Sequence, residues 1–580
     1  MIRSLRAIGL ATTLMLAAAP LTAQSYPQGG DPRDGLGSGM TGAGMAMQGM
    51  RLVGTAPKAA PFDSTRGLTF VNSDLAFRGN LVYQGNFAGF SIWDVSNPAA
   101  PTMVSVVPCI TSQGDPSIIG NLLFLSAEGG GNRNDCAKGG VKDPSEHMAG
   151  VRIYDVSNPA APRLVKNVQT CKGSHTHTVI PHPTDKGIVY IYVSGSQGAR
   201  EAMAGCVNGT DPADEKNSLF RLDVIKVPLA NPEQAEVVTG ARIFTGLAGA
   251  ARRGGRAAAE TGPRNCHDVT AYPAMGLLAG ACGSYGILVD VSNPERPVRL
   301  DAVSDTNFSL WHTAVFSNDG SKVLFTDEWG GGTGPMCQAT SMMEMGGNTT
   351  LTISADRKLT QHAYFKIPTG QAANENCVSH NGSLIPVPGR DIAVQGWYQG
   401  GVNVVDFTDP NKPFEVAFFD RGPIDAPLVE GAPRRSPTIG GSWGAYWYNG
   451  LIISSEMARG LDILEMVPNE HISANEIAAA KLVIMDEFNP QSQPKITWPA
   501  AFPVVRSYVD QLERNGGLPA ARIAAVRGSV DYAERQSGAD RGATLQALAR
   551  QLARDASASS DAAKVRALAS EVERLAGASR

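Results

Sequence analysis

The sequence predicts an all-β seven-bladed β-propeller with a small C-terminal α-helical region. Three observations carry that expectation. One strand-turn-strand unit recurs from about residue 49 to 467, Gly (64) and Pro (37) are abundant, and the chain ends in Ala/Arg/Glu/Leu-rich segments of helical spacing.

The repeated unit is clearest in IWDVSNPAAPTMV from Ile92, IYDVSNPAAPRLV from Ile153, LVDVSNPERPVRL from Leu288 and VVDFTDPNKPFEV from Val404. Blurred copies begin at Leu222 and Leu461. In each copy, alternating apolar residues before the Asp read as a strand. Asp, Ser and Asn bond nearby backbone N–H groups, Pro fixes φ for a turn, and a second apolar run follows. Upstream of each lies a hairpin, plain in DLAFRGNLVYQG from Asp74 and DPSIIGNLLFLSAE from Asp115. Four strands per repeat make a propeller blade.

Hairpins of this kind fall near residues 73–85, 114–128, 175–195, 267–282, 311–328, 379–397 and 442–456. The blade that opens at Trp311 lacks the Asp-Val-Ser-Asn-Pro sequence, and its outer strands are expected around 349–367. The last blade runs out after Leu464, while MRLVGTAP at 50–57 has no hairpin of its own. That orphan strand is expected to complete the final blade and so remove an exposed sheet edge.

The domain reading follows: a signal peptide at 1–23, a disordered Gly/Met-rich linker at 24–48, the propeller at 49–469, a linker at 470–498 and an α-helical region at 499–580. Arg3 and Arg6, the apolar run Ala7–Pro20 and Leu21-Thr22-Ala23 form the secretory signal. An exported (periplasmic, cell-surface or secreted) protein without a transmembrane segment in the mature chain is expected. Met40, Met45 and Met47 form a soft-metal set on paper, but an untidy flexible segment explains them more simply. The net charge of −4 offers no basic footprint for nucleic acid.

The apolar-apolar-Asp-Val-Ser-Asn-Pro-x-x-Pro unit resembles the LVIVD-repeat family of exported β-propeller proteins over roughly residues 70–467. The resemblance implies a propeller outside the cytoplasm and implies no single chemistry. Insertions at about 129–150, 198–217 and 330–348, and the helical tail, depart from the repeat.

In a propeller blade the innermost strand starts on the face where the second strand ends, so residues at those positions converge on one mouth of the central channel. The hairpin starts read Ser73-Asp74, Gly114-Asp115, His175-Thr176-His177, His267-Asp268, Trp311-His312, Ser379-His380 and Ser442-Trp443. Second strands end at Glu128, Asp327-Glu328, Trp397 and Glu456. Five of the nine histidines therefore share equivalent positions. His177, His267, His312 and His380, with Glu328 and Glu456, form the expected metal set for a divalent transition metal: zinc, copper, iron or manganese. The same groups suit general acid-base work on a bound substrate. His175 ranks below His177, because strand alternation turns both to one side and one reaches the axis. A lone histidine at a strand start commonly serves neighbouring backbone, which is the simpler alternative at every one of these positions. His147, His182, His362 and His471 fall in loops or the tail.

The eight cysteines follow the same geometry. An even count in an exported chain without Cys-x-x-Cys favours disulfides, and sequential pairing is expected: Cys109–Cys136, Cys171–Cys206, Cys266–Cys282 and Cys337–Cys377. A thiolate-assisted copper site at Cys266, His267 and Cys282 is the alternative. Trp311, Trp329, Trp397, Trp443 and Trp447 suit packing between blades better than a ligand pocket. Two functions follow. The first is a propeller scaffold that binds a small-molecule, metal or protein ligand at one channel mouth. The second is a metal-dependent extracytoplasmic enzyme, a hydrolase or oxidase.

Overall fold

A computed structural model describes residues 30–62, 71–141, 143–251, 261–424 and 439–579; the expected signal peptide lies outside them. Antiparallel strand is the commonest regular structure among the described residues. Four sheets have four strands each, a fifth has five, and the sixth has nine. The nine-stranded sheet is two antiparallel runs joined where Asn381–Ile385 and Ser442–Tyr448 pair in parallel. The strands that open the hairpins are Asn72–Arg78, Pro116–Ile119, Thr176–Pro181, Val269–Tyr272, Trp311–Phe316, Asn381–Ile385 and Ser442–Tyr448. Each touches the next in chain order, and the last touches the first. The sheets thus close on themselves around their opening strands.

The repeated motif acts through its side-chain oxygens. Asp94, Asp155 and Asp290 accept from the backbone N–H of Ser96, Ser157 and Ser292 at 2.8–2.9 Å. Asn97, Asn158 and Asn293 repeat the turn one step on. The Val that follows Asp donates back to the hairpin turn, as Val95 does to the carbonyl of Asn80 at 2.9 Å. Beyond the turn, the pairing with the fourth strand slips register by a residue, as at Ile92/Trp93, Leu288/Val289 and Val404/Val405. Where glycine opens the third strand, as at Gly89 and Gly150, the reason is steric. A Cβ on Gly89 or Gly150, at φ near 150°, would sit 2.0 Å from the carbonyl oxygen of Val107 or Val168.

Met50–Pro57 pairs antiparallel with Gly460–Met466, so the orphan strand does complete the last antiparallel run. The outer strands of the Trp311 hairpin's sheet are Asn348–Ile353 and Leu359–Phe365. Two stretches expected as linkers are built into the fold instead. From residue 30 the Gly/Met-rich segment is anchored by Arg33, whose buried guanidinium pairs with Asp31 and Glu415 at 2.8 Å and stacks over Phe418. Met45–Gln48 then adds to the strand Phe414–Arg421. Composition hid this, because one buried arginine outweighs a run of glycines.

The second stretch, 470–498, holds helix α1 (Ala474–Ala480) and then a strap across the opening strands. Glu487–Phe488 pairs with Phe77 and Arg78. The Asn489 side chain bonds both the N–H (2.7 Å) and the carbonyl (2.8 Å) of Ile118, and Gln493 does the same to Phe316 at 3.0 Å. The remaining helices α2 (Phe502–Arg514), α3 (Ala520–Glu534), α4 (Gly538–Asp555) and α5 (Ala562–Ala578) share an apolar core built on Val505, Leu512, Val526, Leu548 and Leu568. They dock on the sheets through Gln511 and Trp498, which donate to the carbonyls of Pro388 and Pro386 at 2.8 Å.

Four disulfides join Cys109–Cys136, Cys171–Cys206, Cys266–Cys282 and Cys337–Cys377. They fit an oxidising, extracytoplasmic environment. Among the described residues no helix is long and apolar enough to cross a membrane.

Candidate functional site

The starts of four opening strands lie side by side because backbone and hydroxyl bonds stitch them together. The Thr176 hydroxyl donates to the carbonyl of His267 at 2.8 Å, and the Asp268 N–H to that of His312 at 2.9 Å. The result is a row of imidazoles, His175, His267, His312 and His380, with successive ring centroids 4.5, 3.8 and 4.1 Å apart.

Carboxylates hold the row. At one end the Nδ1 of His175 lies 2.5 Å from Glu128, whose carboxylate also accepts from the Ser196 hydroxyl at 2.9 Å. His175 and His267 face each other through Nε2 at 2.9 Å, and Nδ1 of His267 lies 3.1 Å from Asp268. At the other end Glu328 sits between two rings, 3.6 Å from Nε2 of His312 and 3.7 Å from Nε2 of His380. Its Oε1 also accepts from the Tyr398 hydroxyl at 2.5 Å. Trp443 packs against His380, and its carbonyl engages Nδ1 of that ring.

Burial sets the protonation of these groups. His312 and His380 are wholly buried, and burial pushes His380 down to about 3 and His312 well below the ordinary histidine value, with neighbouring imidazoles adding to the effect. Both rings are therefore neutral at pH 7, the form that ligates metals. Burial raises Glu328, against the pull of the adjacent histidines and Tyr398. At the outer end burial also opposes a charge on His175, but Glu128 overcomes it and the ring is raised. Burial likewise works against Asp268, and the His267 contact holds it below the usual range.

Two ligand groups emerge, His312/Glu328/His380 and His267/Asp268/His312, with ligand atoms within 4.8 Å of one another in each. Nε2 of His380 and both ring nitrogens of His312 are buried without a hydrogen-bond partner. The bond from Nδ1 of His380 to a backbone carbonyl puts its proton there and leaves Nε2 as a lone pair aimed at Glu328.

Two residues expected in the set stand apart. His177 is bonded by Nδ1 to the Ser126 hydroxyl at 2.8 Å, and His175 takes the place it was given. The reason is local: the strand begins at Thr176, so alternation does not govern the residue before it. Glu456 caps the following turn, accepting from the N–H groups of Gly441 (2.8 Å), Ala458 (2.9 Å) and Arg459. Neither belongs to the two ligand groups among the described residues. Asp268 and Tyr398 were not expected as participants. The His-Asp dipeptide at 267–268 was the available signal for the first, whereas Tyr398 follows a strand end and gave none. His147, His182, His362 and His471 bond elsewhere, to Gly129, the Thr184 backbone and Thr352, and against Phe414.

The LVIVD repeat model matches residues 72–108 and 148–170, which cover the whole first four-strand hairpin pair and the outer two strands of the next. The chain carries the LVIVD repeat. No curated protein matches this chain. Solved structures overlap it loosely. The β-propeller domain of Myceliophteria thermophila Cps50 (Swd1) is 9% identical and covers 68% of this chain and 97% of its own, at a TM-score of 0.38. A putative 6-phosphogluconolactonase from Bacteroides fragilis is 12% identical, covering 69% and 98%, at 0.37. Kuenenia stuttgartiensis hydrazine synthase is 12% identical, covering 57% and 74%, at 0.34.

Proposed function

We propose that this LVIVD-repeat chain is an exported, seven-bladed propeller that binds a divalent transition metal at one mouth of its central channel. The closed succession of opening strands supports seven blades, the nine-stranded sheet counting as two. His312, His380 and Glu328 are the core ligands. One observation carries the metal reading: buried, unpartnered nitrogens of His312 and His380 flank one carboxylate at 3.6–3.7 Å. That spacing is too long for hydrogen bonds. It approaches the roughly 3.3 Å between two ligands that each lie about 2.0–2.1 Å from a shared tetrahedral ion.

Nitrogen and carboxylate donors suit zinc, copper, iron or manganese. Metal analysis of protein purified with its disulfides intact is the test. Stoichiometric transition metal that is lost in a His312→Ala, His380→Ala variant is expected. Metal-free protein that also fails to take up zinc or copper on addition overturns the reading.

A second reading, a metal-dependent enzyme, has its own support. His175 and His267 are the exposed end of the row, at 18% and 11% side-chain exposure. Beside them opens a pocket of about 270 Å³ lined by Lys172, Ser196, Asn208, Arg264 and Asn265. The hydroxyl of Ser196 in its wall donates to Glu128, the carboxylate behind His175, so a small substrate there would lie next to the support of the row's accessible end. Turnover by loaded protein that a Ser196→Trp change blocks without releasing the metal would favour this reading over a scaffold.

A further inference from the structure

The single-ion centre leaves half of His312 unexplained. We propose that the site is dinuclear, with the His312 imidazole shared between an ion held by His380 and Glu328 and a second ion held by His267 and Asp268. This rests on the metal reading above and extends it.

His312 is the residue common to both ligand groups, and it stands between His267 and His380 with ring centroids at 3.8 and 4.1 Å. Both of its nitrogens are buried without a partner. A neutral imidazole has one lone pair and one N–H, so one ion satisfies one nitrogen and leaves the other buried without a partner. Two ions satisfy both. As the second ion binds, the ring releases its remaining N–H proton to solvent, and each nitrogen then gives a lone pair to one metal. The negative ring and the carboxylates of Glu328 and Asp268 offset the added charge.

The second position has independent support. Asp268 spends Oδ1 on His267, but its Oδ2 is buried with no partner. A buried carboxylate oxygen without a donor is unfavourable unless a cation meets it. His267 is already oriented by contacts at both ring nitrogens, to His175 and Asp268, and ligation exchanges one of these contacts for the ion. Polarised contacts of this kind are the usual support of metal-bound histidine.

Copper(II) is the probe, because two copper ions joined through one imidazole couple magnetically. The full-length mature chain is titrated with Cu(II), bound copper is counted after gel filtration, and the integrated electron paramagnetic resonance intensity is compared with that count. Two coppers per chain with an intensity well below two spins are expected. Asp268→Asn is expected to leave one copper with full single-spin intensity. Glu328→Gln, altered on the other side, is expected to do the same, so the result does not hinge on one variant folding. One copper in the unaltered chain, unchanged by Asp268→Asn, overturns the dinuclear proposal and leaves the single-metal reading standing. Two uncoupled coppers also overturn it. No bound copper overturns the dinuclear proposal, and the single-metal reading falls with it only if zinc is not taken up either.

Discussion

His175 and His267 meet ring nitrogen to ring nitrogen, Nε2 to Nε2 at 2.9 Å. One ring must donate and the other accept, so the pair shares a single proton, and Glu128 fixes the orientation of His175 from behind at 2.5 Å. Glu128 is thus a positioning residue for the row, one imidazole removed from the proposed ligand His267. Glu128→Gln keeps an acceptor but drops the charge. The dissociation constant for Zn(II), read by competition with a chromophoric chelator, is expected to rise about 10- to 100-fold. A change within twofold would remove Glu128 from the metal's support.

His177 gives a pH dependence free of the metal. Burial holds its ring down to about 3, while the unfolded chain protonates it near 6.5. Between those values the unfolded state binds the extra proton, so stability is complete above about pH 6.5 and declines as pH falls toward 3. One such histidine contributes a slope of about 1.4 kcal/mol per pH unit. Urea unfolding of metal-free protein at several pH values is expected to show that much less slope in His177→Gln. Parallel curves for the two proteins refute the assignment.

Cys171–Cys206 closes a 35-residue separation that contains Lys172, His175 and Ser196. Replacing both cysteines with serine is expected to cost about 3–4 kcal/mol, chiefly by freeing the unfolded chain. Denaturant midpoints are the measurement, with an m-value that rises as the unfolded chain expands. A loss under about 1 kcal/mol means that the loops on either side hold themselves.

Asn489 ties the strap to the sheets through both backbone groups of Ile118, in a buried setting. Asn489→Ala strands a buried N–H and a buried carbonyl and is expected to destabilise the fold by about 2–4 kcal/mol. Hydrogen exchange should quicken at Ile118 and its neighbours. Unchanged protection there would show that the strap only lies across the sheets.

The fold was legible because its turns are local chemistry. Asp94 and Asn97 bond their own neighbours, so the motif reads the same in any copy. The histidine row was legible in part, since equivalent strand starts converge whatever the residues are. Contacts fixed only by tertiary packing were not. Arg33 finds Glu415 across most of the chain, and Gln493 finds Phe316 from a segment with no periodicity. The exchange of His177 for His175 turned on a strand boundary one residue long, finer than pattern reading resolves.

The strand Met50–Pro57 is among the first made, yet its partner Gly460–Met466 is among the last sheet segments to appear. Order of synthesis and order of assembly therefore run opposite ways. Until the final hairpin exists, Met50–Pro57 lacks its partner, and the circle stays open. Such a clasp makes closure a late, long-range and slow event. Lateness also leaves a mark on the intermediate: until the clasp closes, the edge of Gly460–Met466 stays unpaired and open to other strands.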